Sequence, residues 1–271
     1  MKSEFKIIIS ISSDIASELA LAWLKKGEEI VGTYRNWNEN LEQLAVYKNL
    51  TLLKLDFADE ENFNQLKQLV SGLGHWNTLV IASGKQEPIG KFQNVVFSDW
   101  VDGVKTNFLD QLKIVHLLLP FKSKKTENSP TVLFFAGGGT NNSVNNYSAY
   151  TISKIGLIKM CELLSTEIPS VKFSIVGPGW VKTKIHRPTI MDLGAASEDN
   201  YEKTIKMLEG NDCVPISEVV KSCDWVISQK FEVVTGRNFS TKSDKFDDSL
   251  ASALVQDNDM YKLRRFKNNW S

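Results

Sequence analysis

Short runs of β-branched and other apolar residues recur along most of the chain, and longer segments with the spacing of amphipathic helices separate them. A strand that is covered on both faces has no polar alternation, so these runs predict buried strands. Their regular alternation with helices predicts βαβ units and a parallel sheet. Six strands are predicted at 6–10, 29–34, 50–55, 77–82, 131–135 and 171–176, and a seventh at 232–236.

The segment between the first two strands has the clearest helical pattern. Its apolar residues recur at helical spacing over 15–23, Ser12 or Ser13 is placed to cap the start, and Gly27 follows the end. No stretch of the chain has the composition of a linker. We therefore expect one α/β domain over 1–271, built as a doubly wound parallel sheet between two helical layers.

The charge balance limits the kinds of partner. The chain has 32 basic and 32 acidic residues among its 271, which gives no overall attraction to nucleic acid or to an anionic membrane surface. No apolar stretch approaches the roughly 18 residues of a membrane span. The apolar run near the N-terminus ends at Ser10 without the cleavage site of a signal peptide. A small-molecule partner is expected, and no nucleic acid or membrane span.

The cysteines and histidines suggest no metal or disulfide chemistry. The chain has three cysteines and no CxxC pair, which indicates neither a disulfide framework nor a thiolate metal site. A reducing cytoplasm is therefore the expected location. Two histidines are isolated in the sequence and are interpreted as structural. These residues are Cys161, Cys213, Cys223, His75 and His116.

Tyr150 and Lys154 are the most informative pair in the sequence. Residues four apart lie on one face of a helix, so the phenol and the ammonium are expected side by side. A nearby cation favours the ionised form of a phenol, and we expect it to bring the pKa of Tyr150 down from about 10 towards the working pH. Such a pair on its own is common on a half-exposed helix face. Its context, after the fifth predicted strand and a glycine-rich turn, favours catalysis.

Two further groups of residues accompany the Tyr150–Lys154 motif: Asn107 follows the fourth strand, and Pro178, Gly179 and Thr183 follow the sixth. With them, nearly the whole chain resembles the short-chain dehydrogenase/reductase family. The resemblance implies a Rossmann-like fold and hydride transfer between NADP(H) and a carbonyl or alcohol. It implies that Tyr150 protonates the carbonyl oxygen and that Lys154 binds the nicotinamide ribose. Asn107 would hold a water chain behind Lys154, and Thr183 would hold the nicotinamide amide, with Pro178, Gly179 and Val181 lining that end of the cofactor site.

The loop after the first strand departs from the family pattern. Family members carry TGxxxGxG there, whereas Ser10, Asp14 and Ala16 replace the three glycines here. Backbone amides and hydroxyls at a helix N-terminus still suit an anion, although Asp14 would oppose it. The candidate cofactor contacts are Ser10, Ser12, Ser13 and Ile15, and the alternative is a simple capped helix start.

Three further strand ends bear on the cofactor. Arg35 stands after the second strand, where an acidic residue would hold the adenosine ribose, and it suits a 2′-phosphate. We therefore expect NADP(H) in preference to NAD(H), the alternative being that Arg35 is a solvated surface charge. Asp56 after the third strand resembles the adenine-contacting Asp of the family. The residues Ala82, Ser83 and Gly84 take the place of the last part of its NNAG segment.

The family's catalytic serine is missing, because Gly137 occupies the expected position. Loss of one donor to a developing oxyanion can cost roughly 2.7–4 kcal/mol. Thr140 or Ser143 could substitute if the loop folds inward. The alternative function is a binding or regulatory protein that kept the scaffold and lost turnover. A nucleotide-sugar epimerase or dehydratase is disfavoured, because it would need an intact glycine motif and a larger C-terminal region.

The GGG turn, the segment N-Y-S-A-Y-T-I-S-K and the tail from Val234 to Phe266 resemble reductase-like proteins encoded with bacterial surface-polysaccharide pathways. This implies a sugar or a nucleotide-linked sugar as the substrate. A substrate lid is expected over 182–212 and a C-terminal extension over 237–271. Four basic residues in the lid could pair with a substrate phosphate or form a solvated loop: Lys182, Lys184, His186 and Arg187.

The expected assembly is a homodimer or homotetramer, because relatives commonly pair through the helices that carry Asn107 and Tyr150. The apolar residues of those helices could serve that interface or the core, and the sequence does not separate the two. They are Leu109, Leu112, Ile155 and Leu157.

Overall fold

The computed structural model of the chain describes residues 4–125 and 129–265. A seven-stranded sheet forms the centre of this part, and every neighbouring pair of strands is parallel. The strand order is β3-β2-β1-β4-β5-β6-β7. The strands are β1 Glu4–Ile9, β2 Ile30–Tyr34, β3 Leu50–Lys54, β4 His75–Ile81, β5 Thr131–Phe135, β6 Lys172–Gly177 and β7 Arg237–Ser240.

Helices cover both faces of the sheet. Among them are α1 Asp14–Leu24, α3 Glu60–Leu73, α5 Asp110–Leu118, α6 Ser148–Glu167 and α10 Ile216–Ser228. Further helices are α2 Glu39–Leu44, α4 Phe97–Val104, α7 Arg187–Met191, α8 Leu193–Ala196, α9 Glu198–Glu209, α11 Phe231–Val234 and α12 Asp248–Gln256. A π-helical turn, Lys105–Leu109, joins α4 to α5, and 3-10 turns occur at Leu119–Phe121 and Lys184–His186.

The core has two halves, one on each side of the sheet. Successive side chains of a strand point to opposite faces. Accordingly, Ile7 and Ile9 of β1 pack with α3, α5 and α6, whereas Ile8 packs with α1, α2, α10 and α12. All three isoleucines are fully buried, which explains the uninterrupted apolar run in the sequence. The predicted three-layer α/β/α fold is confirmed.

The sheet has a topological switch point between β1 and β4. The chain builds β1, β2 and β3 outwards in one direction and then returns to place β4 against the other side of β1. In such open sheets ligands bind in the crevice beyond the carboxyl ends of the strands, where the order reverses. The segments that follow β1 and β4 therefore flank the expected binding crevice.

The prediction of a seventh strand at 232–236 is wrong. Phe231–Val234 forms a short helix that buries Val233 and Val234, Gly236 turns the chain at φ +74°, and the strand begins at Arg237. The apolar run is too short for its period to distinguish a helical turn from a strand, and the charge of Arg237 hides the true strand.

Arg237 is a buried cation, only 2% exposed. Its guanidinium donates to the backbone oxygens of Leu254, Asp257 and Met260, which lie at and beyond the end of α12. In addition, the backbone N–H of Asn238 donates to the oxygen of Tyr261 at 2.8 Å. The segment after α12 is thus held along the outer side of β7. Phe266 and the rest of the tail lie outside the described residues.

The polar stretch 182–212 contains the 3-10 turn and the helices α7, α8 and α9. Ser13 is the N-cap residue of α1, as predicted, although its hydroxyl makes no capping hydrogen bond. Gly27 does follow the end of that helix, at φ +80°. Among the described residues, no helix combines the length and the apolar character that crossing a membrane requires.

Candidate active site

The carboxyl ends of the strands bring the predicted site residues to one edge of the sheet. Because all strands run in parallel, the segments after β1 to β6 emerge at the same edge. These segments contain Ser10 to Ile15, Arg35, Asp56, Ala82 to Gly84, Gly137 and Pro178 to Thr183. Tyr150 and Lys154 stand at the start of α6, the helix that follows β5.

Lys154, Asn107 and Gly84 meet at the centre of this edge. Lys154 is buried, and its Nζ donates to the backbone oxygen of Phe135 at 2.9 Å. A β-carbon added at Gly84 would lie 3.7 Å from that Nζ and 3.6 Å from Asn107 Oδ1. The glycine therefore keeps open the space in front of both polar groups.

Asn107 is fully buried in the π-helical turn. Its Oδ1 accepts from the backbone N–H of Lys85 at 2.9 Å, and its Nδ2 donates to the oxygens of Lys85 and Gly103. The side chain thus fixes the segment after β4 against α4. π-Helical turns occur frequently at functional sites. The predicted water chain behind Lys154 stays a prediction, since these contacts use both ends of the amide.

Tyr150 is partly buried beside Lys154, with Nζ 5.7 Å from the centre of the phenol ring. The expectation that the cation lowers the phenol pKa is wrong for this arrangement. Burial raises the pKa of Tyr150 to about 12, and burial lowers the pKa of Lys154 to about 8. The ammonium is directed to the backbone oxygen of Phe135 rather than to the phenol oxygen.

Gly137 lies directly against the Tyr150 ring. A β-carbon added at Gly137 would come within 2.7 Å of the phenol oxygen and 2.6 Å of the ring carbon Cε1. The phenol therefore fills the space that a serine side chain would need. Ser143 is exposed and Thr140 partly buried, and neither hydroxyl makes a hydrogen bond within the described part of the chain. Their suggested role stays a prediction.

The loop between β1 and α1 combines free polar groups with a carboxylate. Ser10 has a φ of +61°, a conformation that favours glycine, and its N–H donates to Thr33 Oγ1. The Ser13 hydroxyl is buried and has no partner. Asp14 begins α1, and its Oδ2 accepts the backbone N–H of Lys184 at 2.9 Å. The side chain of Ile15 packs on the second core half.

Side-chain amides of α2 and its N-cap lie over this loop. Asn38 Nδ2 and Asn40 Nδ2 both donate to the backbone oxygen of Ser12, at 2.9 and 3.1 Å. Asn40 Nδ2 also donates to Asp14 Oδ1 at 3.3 Å. Asn38 in addition caps α2.

The carboxyl ends of β2 and β3 carry the exposed cations Arg35 and Lys54. Arg35 directly follows β2 and forms no ion pair with any residue the structure describes. Asp56 is partly buried, and its Oδ1 accepts the N–H of Ala58. Ser83 is buried with an unpartnered hydroxyl, while its backbone oxygen accepts from Gln111 Nε2. The N–H of Ala82 donates to the backbone oxygen of Ile9.

The segment after β6 forms the opposite wall. Gly179 adopts φ +75°, and Val181 is buried in the second core half. Pro178 and Thr183 are partly buried. His186 is stacked on Trp180 and its Nε2 contacts the oxygen of Val181, and burial lowers the pKa of His186. His186 is therefore part of the loop's own packing, whereas Lys182, Lys184 and Arg187 are exposed.

A cavity of about 640 Å³ lies between the segment after β4 and the stretch around α8. Asn146 joins its two sides: its oxygen accepts from Gly90 and its Nδ2 donates to the oxygen of Ala195. Next to it, Tyr147 and Thr189 share a hydrogen bond of 2.7 Å, and Thr189 donates to Gln86. The polar side chains of the lining are Lys91, Asn94, Asp99, Asn146 and Ser197.

Comparison with known proteins agrees with this geometry. The family model described as Enoyl-(Acyl carrier protein) reductase matches residues 10–242, which is most of the chain and includes strands β2 to β7 and the loop that follows β1. The chain belongs to the short-chain dehydrogenase/reductase family.

The relatives of this short-chain dehydrogenase/reductase are distant in sequence. An uncharacterised oxidoreductase of Schizosaccharomyces pombe is 21% identical over 245 residues, covering 88% of the chain and 97% of the relative. A short-chain dehydrogenase/reductase of Saccharomyces cerevisiae has a TM-score of 0.77 at 21% identity, covering 92% and 99%. An actinorhodin polyketide ketoreductase solved with NADPH has a TM-score of 0.76 at 20% identity, covering 88% and 95%. The protein is thus an oxidoreductase of a family that binds a nicotinamide cofactor.

The residues of this short-chain dehydrogenase/reductase suit such a cofactor in most respects. The unpartnered hydroxyls of Ser13 and Ser83 stand at the ends of β1 and β4, on the two sides of the switch point. Gly84 leaves open the space before Lys154. Asp14 is the exception, since a carboxylate at a helix N-terminus opposes a pyrophosphate.

Sequence reasoning missed several residues that shape the site. The amides of Asn38 and Asn40, the Asn146 bridge and the Tyr147–Thr189 pair were not predicted. Asn146 has a φ of +69°, and an Asn ahead of a helix is a signal that could have marked it. His75 and His116 are exposed, and the described residues contain no group that could hold a metal ion.

The apolar residues of α5 and α6 divide between core and surface. Leu157 is fully buried and Leu112 packs against the first core half, whereas Leu109 is 53% exposed. Ile155 is partly buried. Leu109 alone of these four is thus clearly available for an interface, and the oligomeric state stays a prediction.

Proposed function

We propose that this protein is an NADP(H)-dependent oxidoreductase that reduces a carbonyl group, with Tyr150 as the proton donor. The observation that carries the proposal is the convergence of Tyr150, Lys154 and Asn107 on the carboxyl ends of β4 and β5, beside the switch point. The nicotinamide, when bound, supplies the hydride. Location in the cytoplasm and a homodimer or homotetramer belong to the same proposal.

Cofactor binding is assigned to the segments at the strand ends. Ser10, Ser12, Ser13 and Ile15 would face the pyrophosphate, and Arg35 would pair with the 2′-phosphate because it is exposed and has no ion pair within the described residues. Asp56 would contact the adenine. The segments that would enclose the nicotinamide end are Ala82, Ser83 and Gly84 on one side and Pro178, Gly179, Val181 and Thr183 on the other.

The protonation states favour reduction over oxidation. A phenol with a pKa of about 12 is protonated at neutral pH, so Tyr150 carries the proton that a carbonyl oxygen needs as it gains the hydride. Oxidation of an alcohol would need the phenolate, which burial disfavours. Lys154, with a pKa of about 8, remains mostly protonated at neutral pH and can bind a ribose hydroxyl.

The substrate is proposed to be a sugar or nucleotide-linked sugar. The cavity beside the N-terminus of α6 presents amide, carboxylate and ammonium groups from Asn94, Asn146, Asp99 and Lys91. Such groups bind hydroxyls through hydrogen bonds. Residues 182–212 would act as a lid, because Ala195 and Thr189 contact the residues that precede Tyr150.

The test has two parts. Titration with NADPH and NADH, followed by nicotinamide fluorescence, should give tight binding of NADPH. Mixing with a panel of keto-sugars should then oxidise NADPH, and Tyr150→Phe should remove this activity while the melting temperature stays the same. Binding of neither dinucleotide would contradict the cofactor assignment, and full activity in Tyr150→Phe would contradict the catalytic one.

A further inference from the structure

We infer that Asp14 lowers the affinity of this protein for its dinucleotide cofactor, because its carboxylate lies where the pyrophosphate would bind and competes for the same donors. The inference rests on the proposed function, and the experiment below separates the failure of one from the failure of the other.

The position of Asp14 is the first part of the argument. It is the first residue of α1, directly after the loop that follows β1. In this fold the pyrophosphate of a dinucleotide sits at the N-terminus of that helix, where free backbone N–H groups and the helix dipole favour an anion. Asp14 places a negative charge of the chain itself at this point.

The contacts of Asp14 are the second part. Oδ2 accepts the backbone N–H of Lys184, which lies 170 residues further along the chain on the opposite wall of the crevice. Oδ1 accepts from Asn40 Nδ2 on the adenosine side. One carboxylate therefore joins α1, the start of α2 and the segment after β6. Donors from two elements that line the crevice thus point at carboxylate oxygens of the protein instead of oxygens of a phosphate.

The unpartnered neighbour is the third part. The Ser13 hydroxyl, next to Asp14 in the chain, is buried and has no hydrogen-bond partner. A buried polar atom without a partner costs free energy, so the site gains when an acceptor arrives. The helix start thus combines a donor that lacks an acceptor with a carboxylate that repels a phosphate. Cofactor binding must displace or tolerate the bond between Asp14 and Lys184.

Two substitutions separate charge from contact. Asp14→Asn removes the negative charge but keeps an oxygen that can accept the Lys184 N–H. Asp14→Ala removes both. The control is Glu18→Gln, which makes the same change of charge one turn further along α1 at an exposed residue. Thermal unfolding of each variant reports whether the fold is kept.

The measurement is binding by isothermal titration calorimetry with NADPH, ADP and adenosine. Asp14→Asn is expected to bind NADPH and ADP about two- to fivefold more tightly than the wild type, the range for one charge at a helix terminus. Adenosine, which has no phosphate, should show no gain. Asp14→Ala should bind NADPH at least as tightly as Asp14→Asn. Without cofactor, trypsin should cut Asp14→Ala faster after Lys184 than it cuts Asp14→Asn or Glu18→Gln.

The results that overturn the inference are distinct. If the wild type binds NADPH and Asp14→Asn binds it no more tightly, the inference fails and the proposed function stands. An equal gain for adenosine and ADP would also overturn it, because the effect would not act on phosphate. If neither the wild type nor any variant binds NADPH or NADH, the proposed function and the inference fail together.

Discussion

Restoring the family's serine by Gly137→Ser should harm this enzyme rather than improve it. In a loop of the usual family geometry, the new hydroxyl would add a donor to the reacting oxygen, and a donor of this kind is worth about 10²–10³ in kcat. Here the space is taken, because a β-carbon at residue 137 would lie 2.7 Å from the oxygen of Tyr150.

The size of the effect follows from that contact. Non-bonded heavy atoms settle at about 3.5–4.0 Å, so the phenol must move by roughly 1 Å to admit the side chain. A misplacement of about 1 Å can cost on the order of 10²-fold in rate. We therefore expect Gly137→Ser to lose at least tenfold in kcat.

The assay is NADPH oxidation with a keto substrate, together with thermal unfolding. Gly138→Ser is the matched control, because a β-carbon there meets no atom within 4 Å, and it should leave both quantities unchanged. A Gly137→Ser variant that keeps the wild-type melting temperature and gains tenfold or more in kcat would refute the reasoning.

Three further predictions concern the cations of the fold and the cofactor site. Burial lowers the pKa of Lys172 to about 8 from its ordinary value of 10.5. Between these two pH values the unfolded chain binds more protons than the folded chain, so the free energy of unfolding should rise with pH. Urea unfolding at several pH values should show this rise in the wild type and a flatter curve in Lys172→Met. Arg237→Met should leave three buried backbone oxygens without their donor and cost about 3 kcal/mol or more, whereas Lys221→Met, which breaks an exposed pair with Glu218, should cost about 1 kcal/mol or less, both measured by urea unfolding. Arg35→Ser should raise the Kd for NADPH about tenfold and leave that for NADH unchanged in fluorescence titrations; an equal change for both would show that Arg35 does not contact the 2′-phosphate.

The local pattern of apolar residues was enough to predict most strands of the sheet. Five of the first six strands contain apolar runs that are mostly buried on both faces, whereas the edge strand β3 has no fully buried residue and was recognised from its alternation with helices. It failed at the seventh strand, where Phe231 to Val234 is too short to have a period and a buried Arg237 looks like a surface residue. That arginine is acceptable inside the protein only because three carbonyl groups from α12 and beyond meet it, and no local pattern contains this information.

The sequence predicted which of its candidate residues lie at one edge of the sheet, but it did not predict the electrostatics of that edge. The four-residue spacing of Tyr150 and Lys154 places them on one face, but it does not determine how deeply the phenol is buried or where the ammonium points. The charge of Asp14 was visible in the sequence, whereas its partner Lys184 is not near it in the chain. Likewise the missing serine was evident, while the occupation of its space by the Tyr150 ring required coordinates.

The strand β7 has a consequence for how copies of this protein can meet. An outermost strand offers unpaired N–H and C=O groups to any neighbouring chain and so invites sheet-to-sheet aggregation. Here the chain's own segment 257–261 already occupies that border, fastened by the Arg237 guanidinium and by the bond from Asn238 to Tyr261. A second molecule can extend the sheet past β7 only by displacing this segment, which protects that edge from pairing with another copy.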